Sequence, residues 1–143
     1  MQIGVETAKA VDQRRIFVID EDEITRAALQ FMLHDEIETH ELASLDEAFA
    51  KGEGWLKPDL VLLGVGFVTR LGPAVIDSLA SRWPRARVVI VTGREEEADT
   101  LAALRAGAAG ALVKPLRLEA VRQKVDTILG RAGAAALVQL GGL

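Results

Sequence analysis

Four apolar runs in this chain each stop at a small, polar or charged residue. Ile16–Ile19 leads into Asp20-Glu21-Asp22, Leu60–Leu63 into Gly64, Val88–Val91 into Thr92, and Ala111–Val113 into Lys114-Pro115. Short runs of this kind read as strands buried on both faces. Ile37–Leu42 is polar and alternating, and reads as an edge strand. Between the runs the period turns helical. From Asp22 onward, Ile24, Ala28, Phe31 and Met32 share one face and predict a helix packed through it. Leu45, Ala48 and Phe49 mark a short helix that stops near Gly52 and Gly54, and Pro58 opens the strand Asp59–Leu63. Val65–Leu71 reads as a loop. A helix follows with Val75, Ile76, Leu79 and Ala80 inward, ending before Trp83-Pro84. Arg87–Val91 is the fourth strand. Glu95–Arg105 is an alanine-rich helix closed by Gly107. Ala109–Val113 is the last strand, and Leu118, Val121, Val125 and Ile128 line a final helix ending at Gly130.

Strands alternating with helices predict a parallel sheet covered by helices on both faces, with right-handed crossovers. In such a sheet the carboxyl ends of the strands share one edge, where open α/β folds place their sites. Residues 1–13 read as a polar extension, 14–130 as the domain, and 131–143 as a Gly/Ala/Leu-rich tail. The tail reads as a linker in preference to an apolar segment docked on a partner.

Composition narrows the function classes. The 143 residues suit one domain with one core, and half of them are apolar. A net charge of −4 without a Lys/Arg cluster excludes the electrostatic footprint of a nucleic-acid binder. With no cysteine there is no disulfide framework or thiolate metal site, which fits a cytoplasmic protein. No apolar run reaches membrane-spanning length, and Met1–Gln13 lacks the order of a signal peptide.

The strand ends carry the candidate chemistry, and the pieces stand in register. Phe17-Val18-Ile19-Asp20-Glu21-Asp22, Pro58-Asp59-Leu60-Val61-Leu62-Leu63, Gly72 eight residues past Gly64, Val91-Thr92-Gly93, Arg105-Ala106-Gly107-Ala108 and Lys114-Pro115 follow one another at the right spacing. Over about residues 14–130 this order resembles the receiver domain of two-component response regulators. The resemblance implies a doubly wound, five-stranded parallel sheet in the order 2-1-3-4-5, the flavodoxin-like arrangement. In that family the position matching Gly64 is an aspartate that accepts a phosphoryl group from a histidine kinase. The transferred group carries heavy negative charge and needs a divalent cation, a lysine and a hydroxyl around it. By resemblance Asp20, Glu21 and the Gly66 carbonyl would hold the cation, Thr92 would supply the hydroxyl and Lys114 the ammonium.

Three departures change what this implies. Gly64 offers neither nucleophile nor metal ligand. The aromatic residue whose rotation reports phosphorylation is replaced by Ala111, and the proline four residues past the acceptor by Val68. These losses imply an atypical, phosphorylation-independent receiver with a degenerate site at Asp20, Glu21, Gly64, Thr92 and Lys114. No cofactor is required, and any Mg²⁺ affinity is weaker than in an intact receiver. A direct Asp20–Lys114 ion pair is expected in place of the lost charge. The partners implied are a histidine kinase, another regulator, a fused output domain, or a second copy. The contact face would be the fourth helix, fifth strand and fifth helix, made smooth by Ala102, Ala103, Ala106 and Ala109 and rimmed by Glu95-Glu96-Glu97. Two rival readings are phosphorylation at Asp20, Asp22 or Thr69, and a small-ligand sensor using Asp20, Glu21 and Thr92. No nucleophile–base pair marks an enzyme.

Other features have plainer readings. Asp20–Glu23 also suit a helix N-terminus. His34 and His40 lack metal spacing. Trp55 and Trp83 read as packing anchors.

Overall fold

The computed structural model describes residues 12–131; the tail reading and most of the N-terminal extension lie outside them. In chain order the elements are β1 (Arg15–Ile19), α1 (Glu23–Leu33), β2 (Glu38–Leu42), α2 (Leu45–Lys51), β3 (Leu60–Gly64), α3 (Val65–Leu71), α4 (Ala74–Arg82), β4 (Arg87–Thr92), α5 (Glu97–Arg105), β5 (Gly110–Val113) and α6 (Leu118–Leu129). The strands form one parallel sheet in the order β2-β1-β3-β4-β5, as the resemblance implied.

Alternation along the strands builds two cores. Ile16, Val18, Leu60, Leu62, Val89 and Val91 point to the side covered by α1 and α6, where Leu29, Leu33, Val121 and Val125 meet them. Phe17, Ile19, Val61, Leu63 and Ile90 point to the side covered by α2 to α5. The central strands are therefore apolar on both faces, as a parallel sheet requires. Edge strand β2 buries only Thr39 and Leu42. Its Glu38 is held down to a pKa of about 2, first by the hydrogen bond from Arg15 and then by that from His40. These charges mark it as an edge.

The structure corrects four details of the sequence reading. Helix α1 turns Thr25, Leu29 and Leu33 inward, while Ile24 and Phe31 are 79% and 75% exposed. Two apolar stripes lie side by side on this helix, and periodicity cannot choose between neighbours. The cap sets the phase: Asp22 accepts from the Ile24 N–H and from the Thr25 hydroxyl. Ala80 faces solvent, because α4 packs through Val75, Ile76 and Leu79.

Val65–Leu71 is a helix, not a loop. Its Gly and β-branched residues are poor helix formers, but Val65, Phe67 and Val68 are buried, and burial outweighs that propensity. Gly72, at φ +82°, ends it. Trp83 anchors the core as expected, but Trp55 is 81% exposed, with the Arg15 guanidinium 5.8 Å from its ring.

Both ends of the described segment are tied together. Arg14 binds Asp12 and the Leu129 carbonyl, and Arg131 pairs with Asp12, Glu36 and Asp126.

Candidate functional site

Parallel register brings the ends of β1, β3, β4 and β5 to one edge, and with them Asp20, Glu21, Gly64, Thr92 and Lys114. The side chains do not converge on one point. Asp20 is 9% exposed, and its Oδ1 accepts the Asp22 N–H at 2.9 Å. A Cβ built on Gly64 would lie 2.6 Å from Asp20 Oδ2 and 2.7 Å from its Cγ. The carboxyl of Asp20 thus fills the space that any side chain at position 64 would enter. Burial raises its pKa above the usual carboxylate value; the Asp22 N–H and the charge of Lys114 oppose that rise.

The expected direct Asp20–Lys114 pair is not formed. Among the described residues no carboxylate lies within 4.0 Å of the Lys114 ammonium, and the side chain is exposed. An exposed ammonium keeps its water, whereas pairing at depth would strip both groups of it. The Lys114 N–H nevertheless donates to the Thr92 carbonyl at 2.8 Å.

Glu21 turns outward to Arg70, 2.6 Å away. Gly66 is the second residue of α3, not part of an open loop. Thr92 is 2% exposed, and its hydroxyl lies 2.8 Å from that of Thr100 on α5 and 3.0 Å from the Gly93 carbonyl. Asp22 is the helix cap, its pKa lowered first by the Thr25 hydroxyl. Ala111 is half-buried against the core under α5. Beside it, Thr92, Thr100, Leu101 and Val113 help line an open pocket of 360 Å³.

Sequence reasoning missed Arg70, Thr100 and Asp99. The Thr69 hydroxyl lies 2.7 Å from Asp99 Oδ2, joining α3 to α5. Nothing local marks Arg70 or Asp99, because each meets a partner far away in sequence. Only Thr100, eight residues past Thr92, left a trace, as a hydroxyl on the inward phase of an amphipathic helix.

Among the described residues no helix is long and apolar enough to cross a membrane. The chain is 30% identical over 138 residues to the DNA-binding transcriptional activator DevR/DosR of Mycobacterium tuberculosis, covering 90% of this chain and 63% of that one. It is 39% identical over 67 residues to the transcriptional regulatory protein CitT of Bacillus subtilis, covering 47% of this chain and 30% of that one. The chain therefore spans less than two thirds of the length of these curated relatives. The receiver domain of NtrX from Brucella abortus superposes with a TM-score of 0.72 at 27% identity, covering 80% of this chain and 98% of that one. Residues 16–126 match the response regulator receiver domain family. With the sheet order and the register of its strand ends, the chain belongs to that family, the receivers of two-component signalling.

Proposed function

We propose that this domain is a pseudo-receiver, regulating through protein contacts without accepting a phosphoryl group. The observation that carries the reading is position 64, where a glycine stands and the carboxyl of Asp20 occupies the adjoining space. An acyl phosphate forms on a carboxylate placed in line with the donor, and a glycine supplies none. Three further features support it: Ala111 offers no rotating ring, Thr92 is engaged with Thr100, and Glu21 is turned to Arg70. The reading requires no metal or other cofactor and no catalytic role, and its setting is the cytoplasm.

The test is intact mass after incubation with Mg²⁺ and a small acyl-phosphate donor, with an aspartate-bearing receiver as positive control. No added phosphoryl mass is expected on the native chain. A hydroxylamine-labile adduct would overturn the reading, and its position would decide among Asp20, Asp22 and Thr69.

The contact surface of this reading is the face of α5, β5 and α6. Leu101, Val113 and Leu118 are exposed there by 42%, 52% and 43%. Glu97 lines a pocket with Leu101 and Val113, Arg117 and Lys124 line another with Val113, and Lys114 follows Val113 in the chain. None of these three cations has an acidic partner within 4.0 Å among the described residues. Charges of both signs beside these apolar residues suit a second copy related by a two-fold axis. A histidine kinase, another regulator or a fused output domain are the other partners of the reading. Sedimentation equilibrium is expected to show a dimer weakened by Lys124→Glu. A monomer throughout, in native and variant alike, would remove the second copy as a partner.

A further inference from the structure

The divalent cation that the family resemblance places on Asp20, Glu21 and Gly66 does not fit the donors as they stand. Glu21 Oε1 is 2.6 Å from Arg70 Nη1. A Cβ built on Gly66 would lie 3.7 Å from Glu21 Oε1 and 3.8 Å from Arg70 Nη1, so this pair passes across Gly66. A carbonyl inside a helix points along the axis toward the N–H four residues on, which for Gly66 is that of Arg70 itself. Asp20 remains as one carboxylate, with an oxygen already accepting from Asp22. A hard cation needs several free oxygens and uncompensated negative charge. Among the described residues no three His, Cys, Asp or Glu side chains are grouped to hold one.

We propose that Arg70 is the resident counter-cation of the acidic end of β1, its guanidinium withdrawing Glu21 from the oxygens that would hold the divalent ion. The proposal rests on the pseudo-receiver reading for its meaning, but it concerns the cation alone. Arginine suits the role because it stays protonated at every physiological pH and is weakly hydrated for a cation. Its own helix holds it in place. The guanidinium lies 5.3 Å from the ring of Phe67, one turn back and itself 3% exposed. The neighbouring Thr69 ties the same helix to Asp99 on α5. Helix α3 therefore spans from the acidic end of β1 to the helix that flanks the contact face.

Arg70 and Glu21 are 49% and 55% exposed at their side chains, so the pair adds little to stability. What it changes is the charge an incoming cation meets. A tethered guanidinium is present at constant local concentration, whereas a metal site follows the cation concentration of its surroundings. The acidic end of β1 thereby keeps one charge state at all Mg²⁺ levels, as a domain without a phosphoryl switch can afford.

The experiment is a Mn²⁺ titration of the full chain followed by paramagnetic broadening of the Glu21 and Gly66 amide signals, with no phosphodonor present. Native protein is compared with Arg70→Met, Arg70→Gln and the charge-retaining Arg70→Lys. Removing the positive charge is expected to lower the Mn²⁺ concentration for half-broadening by about tenfold. Arg70→Lys is expected to respond like the native chain. Equal responses of native protein and both neutral variants would overturn the proposal, as would a lysine variant that behaves like the neutral ones. The amide spectrum reports folding in the same samples, and two neutral variants guard against a side chain that disturbs α3. Phosphoryl labelling of native protein would overturn the preceding reading only; an unchanged Mn²⁺ response would overturn this one only.

Discussion

Replacing Gly64 with aspartate is expected to destabilise the domain by about 2–4 kcal/mol at neutral pH. The backbone does not demand glycine, since φ −62° and ψ 136° are open to any residue. The conflict lies in Asp20, whose Oδ2, Cγ and Oδ1 are 2.6, 2.7 and 2.9 Å from the new Cβ. Asp20 must rotate away and lose the Asp22 N–H, and a second carboxylate then shares a poorly hydrated space with it.

The sign of the pH dependence follows from Asp20. Its native pKa is raised above 3.8, chiefly by burial. Between 3.8 and the raised value the native state binds more protons than the unfolded chain. Stability therefore falls as pH rises through that interval. A carboxylate at position 64 is pushed the same way, so the gap between variant and native protein is smallest in acid and widens as pH rises.

Asp20→Asn removes the anion but keeps an oxygen for the Asp22 N–H. It is expected to gain stability relative to native protein at pH 7 compared with pH 4, and to recover part of the loss in Gly64→Asp. Urea unfolding of the four proteins at both pH values is the measurement. A Gly64→Asp midpoint equal to the native one at pH 7 would show that the carboxyl of Asp20 does not hold that space.

Trp83→Ala is expected to cost about 3–5 kcal/mol, lowering the melting temperature by roughly 10–20 °C. Trp83 is 2% exposed, and its Nε1–H donates to the Gly52 carbonyl at 3.1 Å. Its ring meets Phe17 edge-on at 5.5 Å and Phe49 at 5.4 Å, joining β1, α2 and the end of α4. The fit leaves no slack, since a Cβ on Gly52 would come within 2.5 Å of the indole. Truncation would leave a cavity, and three elements joined by one ring cannot close it together. Trp83→Phe keeps most of the aromatic contact and loses the hydrogen bond, leaving the Gly52 carbonyl unpaired; it should cost less than alanine. Thermal unfolding of both variants decides the matter. A loss below about 1 kcal/mol for alanine would mean that the site collapses freely and that the aromatic cluster is not a point of cohesion.

The elements nearest to complete burial were the most legible in the sequence. Phe17–Ile19, Leu60–Leu63 and Val88–Val91 could only be interior strands, because that many adjacent apolar residues have no stable place on a surface. Gly64, Thr92 and Lys114 were matched through the family resemblance, and the parallel register places them at the carboxyl ends of β3, β4 and β5, while Ala111 lies within β5 opposite Ile90. What a residue type can never do is a local property: position 64 has no carboxylate whatever surrounds it.

Choices between equivalent local patterns were decided elsewhere. Ile24-Ala28-Phe31 and Thr25-Leu29-Leu33 are neighbouring stripes on one helix, and contact with β1 and the phase set by Asp22 selected the second. Val65–Leu71 is a weak helix by composition and became one because the core received Val65, Phe67 and Val68. The same holds at the site. Asp20 found room at Gly64, Glu21 found Arg70 across 49 residues, and Thr92 found Thr100 on another element. The sequence determined which groups exist at the strand ends. Only the tertiary structure decided how the remaining charges and hydroxyls are satisfied, because each reaches a partner through packing that brings distant segments together.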